Sequence, residues 1–138
     1  MSNRQLGILN QKAGPHSDKI TELQGAAGEV ALAKFLNVYP DMADEPGEYD
    51  LYWNDYKVDV KTTKHKHGHL EVSINKKPGK VDVYALVIGD FPRFRIAGWM
   101  MASEMMQDHR LYTYERSGSK VWRARQDELV MDWEVQYV

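Results

Sequence analysis

Apolar residues recur at helical spacing near the start of the chain: Ile20, Leu23, Ala27, Val30, Ala31 and Phe35 fall on successive turns of one helix. The spacing predicts a helix over about 18–37, with Ser17 or Asp18 as its cap and Pro40 closing the segment. Gly25 and Gly28 each cost that helix up to ~1 kcal/mol against Ala, which points to close approach by another element. Ahead of it, Gly7, Gly14 and Pro15 break the pattern, so 1–16 reads as a flexible N-terminal arm.

Further on the period shortens to two. Segments 49–53 and 56–63 read as strands joined by a two-residue turn at Asn54-Asp55. Leu70, Val72 and Ile74 alternate in a third strand, which would complete a β-meander. The stretch 76–80, with Pro78 and Gly79, is a loop. Segment 81–88 is almost continuously apolar, as a central strand buried on both faces would be. A strand over 93–100, a short helix over 102–107 and two β-like pieces at 111–115 and 120–124 precede an ambiguous tail. No internal repeat or low-complexity segment is present. One helix, a meander and a buried strand imply a mixed α/β sandwich.

The register of the first hairpin carries the chemistry. With a turn at 54–55, Trp53 faces Tyr56, Tyr52 faces Lys57, Leu51 faces Val58, and Asp50 falls opposite Asp59. Alternation then gives Lys57, Asp59, Lys61 and Thr63 one face, and Val58 and Val60 the other. Directly opposed side chains have Cβ atoms ~4.5–5.5 Å apart, where like charges destabilise. A divalent cation relieves that repulsion, and Mg²⁺ binds through one or two carboxylates while keeping its other positions for water or phosphate. Lys61 stands ~6.5–7 Å along the strand from Asp59, where an ammonium can orient an attacking water or stabilise charge on a phosphate. Two carboxylates, a lysine and a divalent ion suffice to hydrolyse a phosphodiester. The plainer alternative is a surface hairpin with Lys61 paired to Asp59 or Glu71, because a D-x-K triplet also arises by chance.

Composition narrows the classes. A chain of 138 residues, 43% hydrophobic and 28% charged, suits one domain with its own core. Four Trp, eight Tyr and three Phe argue against long disorder. The lack of cysteine excludes disulfides and thiol nucleophiles. No apolar run approaches the ~20 residues of a membrane span, and the first residues do not resemble a secretory signal, so a soluble, intracellular (cytoplasmic) protein is expected. The net charge of −2 hides an asymmetry: residues 41–55 hold six acids and no Lys or Arg, whereas 57–80 hold seven lysines and three histidines against Asp59 and Glu71. A local positive field steers polyanions even when total charge is small. Lys64, Lys66, Lys76, Lys77 and Lys80 are therefore candidate nucleic-acid contacts, with a solvated lysine face as the alternative. His65, His67 and His69 have the alternation of a transition-metal site but no partner cluster, and read more simply as part of a flexible connection. Trp53, Tyr52 and Tyr56 can stack on a base or pack between strands; Met100, Met101, Met105 and Met106 suit a core or a dimer contact.

Glu29 in GAAGEVALAKFL, Asp50 in EYDLYW and Asp59-Val60-Lys61 in YKVDVKTT together resemble the PD-(D/E)xK nuclease superfamily, over about residues 18–100. Tyr49 stands where that motif has proline. The resemblance implies a three-layer α/β/α sandwich around a mixed central sheet, a restriction-endonuclease-like core. Residues 17–138 would form one domain, with 101–138 as a C-terminal extension. It implies that Asp50, Asp59, the Val60 carbonyl and Glu29 hold Mg²⁺, with Mn²⁺ as a substitute, and that Lys61 serves the attacking water. Glu22 is a second helix candidate, and Glu71 a salt-bridge partner. The implied activity is a nuclease, with DNA and endonucleolytic cutting favoured by the superfamily's range, and a homodimer where both strands are cut. A non-catalytic nucleic-acid-binding or interaction module on the same fold, and an RNA-processing nuclease, are the alternatives.

Overall fold

The computed structural model describes residues 13–39 and 49–133, with side chains from residue 23 onward. Helix α1 spans Ala13–Leu36. It therefore starts before the expected cap, and residues 13–16 are helical rather than part of an arm. Pro15 is tolerated because it lies in the first turn, where its missing N–H would have no intrahelical acceptor. Residues 1–12 of the expected arm lie outside the described residues. The helix ends at Leu36, and Asn37 after it takes φ 59°. The Asn37 amide donates to Lys34 O (3.2 Å) and the Val38 amide to Ala33 O (2.9 Å), a Schellman closure.

The first hairpin has the register read from the sequence. Strands β1 (Leu51–Trp53) and β2 (Tyr56–Thr63) pair antiparallel with Leu51 opposite Val58, Tyr52 opposite Lys57 and Trp53 opposite Tyr56. Asn54 and Asp55 both take positive φ, 49° and 68°, as a type I′ turn requires.

The third strand departs from the expected meander. Strand β3 (Leu70–Ser73) does not add to β2. Strand β4 (Val83–Asp90) takes that place, parallel to β2, and β5 (Arg93–Met101) pairs antiparallel with β4, giving a four-stranded sheet of order β1-β2-β4-β5. The reason lies in burial. Every residue from Val83 to Ile88 is buried, so β4 must be central and covered on both faces. β3 buries only Leu70 and Val72, a one-sided pattern that suits a covering layer. It pairs instead with β7 (Lys120–Ala124), which also pairs with β6 (Leu111–Thr113), in a second sheet of order β3-β7-β6.

Two cores result. On one face of the four-stranded sheet, Leu32 and Ala33 of α1 pack on Val58, Val60, Val83, Ala85 and Val87. There Trp53 sits 5.4 Å from Trp99 and 4.9 Å from Trp133, so Trp53 is packing rather than a free stacking platform. On the other face, Tyr84, Leu86 and Ile88 pack on Leu70, Val72 and Ala124 of the second sheet and on Met105 of the one-turn helix α2 (Ala102–Met105). Met100 and Met105 are thus core residues. Among the described residues the fold is mixed α/β, with two sheets and two α-helices. The layer opposite α1, expected to be helical, is formed among the described residues by the second sheet and α2.

The seat of α1 also differs from the expected stripe. Val30 and Phe35 are exposed, whereas Gly28, Leu32 and Ala33 are buried. Gly28 explains the rotation. A Cβ there would lie 2.0 Å from Thr62 Oγ1, so glycine lets the helix settle directly on β2. Gly25 meets nothing within 4 Å and has no such role.

Candidate functional site

Asp50 immediately precedes β1, at an edge of the four-stranded sheet. Its amide donates to Val58 O (2.8 Å), continuing the hairpin, and its Oδ2 accepts from the Val60 amide (2.7 Å). Asp59 lies mid-strand on β2 and is the buried charged residue among those described, 6% exposed. Strand parity turns Asp59 and Lys61 away from α1, towards the face that also carries Tyr84, Asp59's register partner on β4.

The carboxyl groups of Asp50 and Asp59 lie close enough to shift each other's acidity, and Glu29 of α1 lies close enough to act on Asp50. The acidities of the two aspartates reflect this crowding. Burial, against the opposing charge of Lys61 and with the charge on Asp50 adding to it, pushes Asp59 up to about 6. Asp50 is also raised, first by burial and then by the Glu29 charge, against the lowering effect of the Val60 amide. Burial, helped by the Asp59 charge, lifts the Tyr84 hydroxyl to about 12.

Two cations face this acidic chain. Lys61 Nζ lies 3.4 Å and Lys76 Nζ 3.8 Å from Asp59 Oδ2. The structure thus brings Glu29, Asp50, Asp59 and Lys61 together, with Glu29 joining from the helix side through Asp50. Val60 takes part through its N–H. The Glu22 side chain lies outside the described residues. Among the described residues, no three His, Asp or Glu side chains form a ready-made metal cage. The fit to a divalent ion rests on the Asp50–Asp59 pair: two neighbouring carboxyls, both harder to ionise than ordinary aspartates, gain from a cation between them, and Mg²⁺ needs only one or two carboxylates from the protein.

The lysines expected to meet nucleic acid divide. Lys76 is drawn onto Asp59, a role that sequence reasoning missed because it depends on where the 74–82 loop folds back. Lys66 lines a cleft of about 780 Å³ together with Lys61, Thr63, His69, Glu71 and Arg123. Lys64, Lys77 and Lys80 are exposed and do not line it. Asp50 and Asp59 do not line it either, so the cleft meets the acidic cluster at Lys61. The histidine-bearing loop is pinned rather than loose: Gln126 Nε2 donates to Lys66 O and Gly68 O, both at 2.9 Å. Glu71 is a pairing residue as expected, but with Arg123, 3.3 Å away and opposite it in the β3–β7 ladder.

Comparison with known proteins found no matching family model, no matching curated protein and no matching solved structure.

Proposed function

We propose that the chain is a Mg²⁺-dependent phosphodiesterase that cuts within nucleic-acid strands, DNA foremost, on a restriction-endonuclease-like core. One observation carries the reading: the Asp50 and Asp59 carboxyls are near enough to act on each other, both are harder to ionise than ordinary aspartates, and Lys61 stands 3.4 Å from the more buried of them. A pair of this kind is unfavourable without a cation, and groups perturbed by burial and a specific charge partner mark functional sites. Asp50 and Asp59 would hold Mg²⁺, or Mn²⁺ in its place, with Glu29 beside them and Val60 closing the strand behind. The bound ion would neutralise the paired carboxylates and stabilise negative charge building on the phosphate. Lys61 orients the attacking water and adds a positive charge beside the scissile group. Lys76, on the same carboxylate, holds Asp59 in place until substrate and ion arrive.

A second reading is a nucleic-acid-binding module without catalysis. It draws on the two lysines that already stand at ion-pair distance from Asp59 without a metal. Plasmid, linear, single-stranded and branched DNA incubated with purified protein separate the two. The phosphodiesterase cuts at least one substrate with Mg²⁺ or Mn²⁺ and none with EDTA. Four untouched substrates in both metals reject it. Mg²⁺ should also raise the melting temperature of the wild type but not of Asp59→Asn.

A further inference from the structure

We infer that the cleft beside Lys61 is a seat for the sugar–phosphate backbone of a single nucleic-acid strand, with one phosphate held at His69 and Arg123. This rests on the phosphodiesterase reading and names the form in which its substrate enters. The 780 Å³ cleft and a second cavity of about 300 Å³ share His69 and Arg123 in their lining, which sets the two side by side along a line leading away from Lys61. Arg123 is built for an anion. Its Nε is buried and makes no hydrogen bond, although Glu71 Oε2 lies 3.3 Å away at ion-pair distance. Its guanidinium lies over the Tyr112 ring, 4.1 Å from the centroid, which fixes its plane. Its Nη2 stands 3.1 Å from His69 Nδ1. Arginine can only donate there, so His69 accepts at Nδ1 and carries its proton on Nε2, as a second donor to a ligand.

The acid in the groove is already occupied. The Tyr114 hydroxyl shares its one proton between the two carboxylate oxygens of Glu71, and Arg123 is ion-paired to it, so Glu71 does not repel an incoming phosphate unaided. The opposite wall is preorganised. Gln126 holds the carbonyls of Lys66 and Gly68, and Arg95 Nη2 also donates to Lys66 O (3.3 Å), which fixes the backbone from which the Lys66 side chain projects. Size selects the ligand. A cleft of 780 Å³ is within the range for a drug-sized ligand, roughly one or two nucleotides. A single strand can enter a cleft of that size with its backbone, whereas a duplex can only lie across its mouth.

The test is fluorescence anisotropy with short labelled oligonucleotides in EDTA, where binding is read without turnover. Single-stranded DNA, single-stranded RNA and the DNA duplex of the same sequence form three arms, and the two single-stranded arms identify the preferred sugar. Lys66→Ala and Arg123→Gln should each weaken single-strand binding roughly tenfold and reduce the slope of log K against log salt by about one. Lys77→Ala should stay within about twofold of wild type. Lys66 is exposed, so its variant keeps the test informative if Arg123→Gln fails to fold. Wild-type affinity and slope in Lys66→Ala, tighter binding of duplex than of single strand, or no binding by the wild type each overturns the groove. Retained binding in EDTA with no cleavage in Mg²⁺ rejects the phosphodiesterase reading and leaves the groove standing. Cleavage with no groove dependence does the reverse.

Discussion

Asp59 and Glu128 are both carboxylates set beside basic side chains, yet their acidities move in opposite directions. Glu128 closes a turn of 3₁₀ helix at Gln126–Glu128, accepting the Arg125 amide at 2.8 Å and the Arg110 guanidinium at 3.0 Å. The backbone amide first, and then Arg110, hold it below the usual glutamate value. Asp59 has two lysines, but at 3.4 and 3.8 Å, and it faces another carboxyl while buried. Burial wins and its acidity falls. A carboxylate that serves the fold is surrounded by donors aimed at its oxygens. One that remains short of positive charge inside the protein costs stability, and such a cost persists where a ligand repays it.

The sharpest way to break this comparison is to neutralise each carboxylate and measure cleavage. Asp59→Asn and Lys61→Ala should each lower the cutting rate by at least about 10³-fold, with an unchanged circular-dichroism spectrum. Glu128→Gln should cut at close to the wild-type rate. Equal rates in Asp59→Asn and Glu128→Gln would mean that Asp59 and its two lysines are a structural ion pair.

Stability should respond in the opposite sense. An ordinary aspartate titrates near 3.8 and Asp59 near 6, so the folded chain keeps a proton that the unfolded chain has lost. The stability of the fold is therefore greatest below about 3.8 for this group and falls as pH rises to about 6, above which the penalty is constant. Asp59→Asn removes the penalty. It should be more stable than wild type by ~1–3 kcal/mol at pH 7 to 8, with the gap closing as the pH is lowered through 6 towards 4. Urea melts across that range check it. A variant less stable than wild type at pH 8 would show that the two lysines outweigh burial.

These contrasts show how far the sequence is legible. The hairpin was, because a two-residue turn and strict alternation leave one register, and that register alone puts Asp50 near Asp59. The partners of Asp59 from elsewhere were not. Lys76 arrives from a loop, and Tyr84 through parallel pairing of β2 with β4. Parallel neighbours are separated by a crossover that no local pattern encodes. The place of β3 was misread for the same reason: alternation reveals a strand but not its neighbour. On α1 the apolar stripe marked a helix correctly and its buried face wrongly. The better signal was Gly28, whose missing side chain marks the contact with Thr62. Arg123 and His69 stand 54 positions apart, and only the β3–β7 ladder brings them together.

The smallest expected effect tests the other half of the comparison. Glu128 is held below the ordinary glutamate value of 4.5, so its ionised form stabilises the fold above that pH, and the stabilisation disappears as pH falls through the depressed value. Its side chain is 27% exposed and solvent screens the ion pair, so the contribution is below about 1 kcal/mol. Glu128→Gln should be slightly less stable than wild type at pH 7 and indistinguishable from it once the pH is well below 4.5. This is the reverse of Asp59→Asn in both sign and pH window, so one series of urea melts on three proteins reads both. If Glu128→Gln gains stability at pH 7, the donors around Glu128 do not repay its desolvation, and opposite acidity shifts would no longer separate a structural carboxylate from a site carboxylate in this fold.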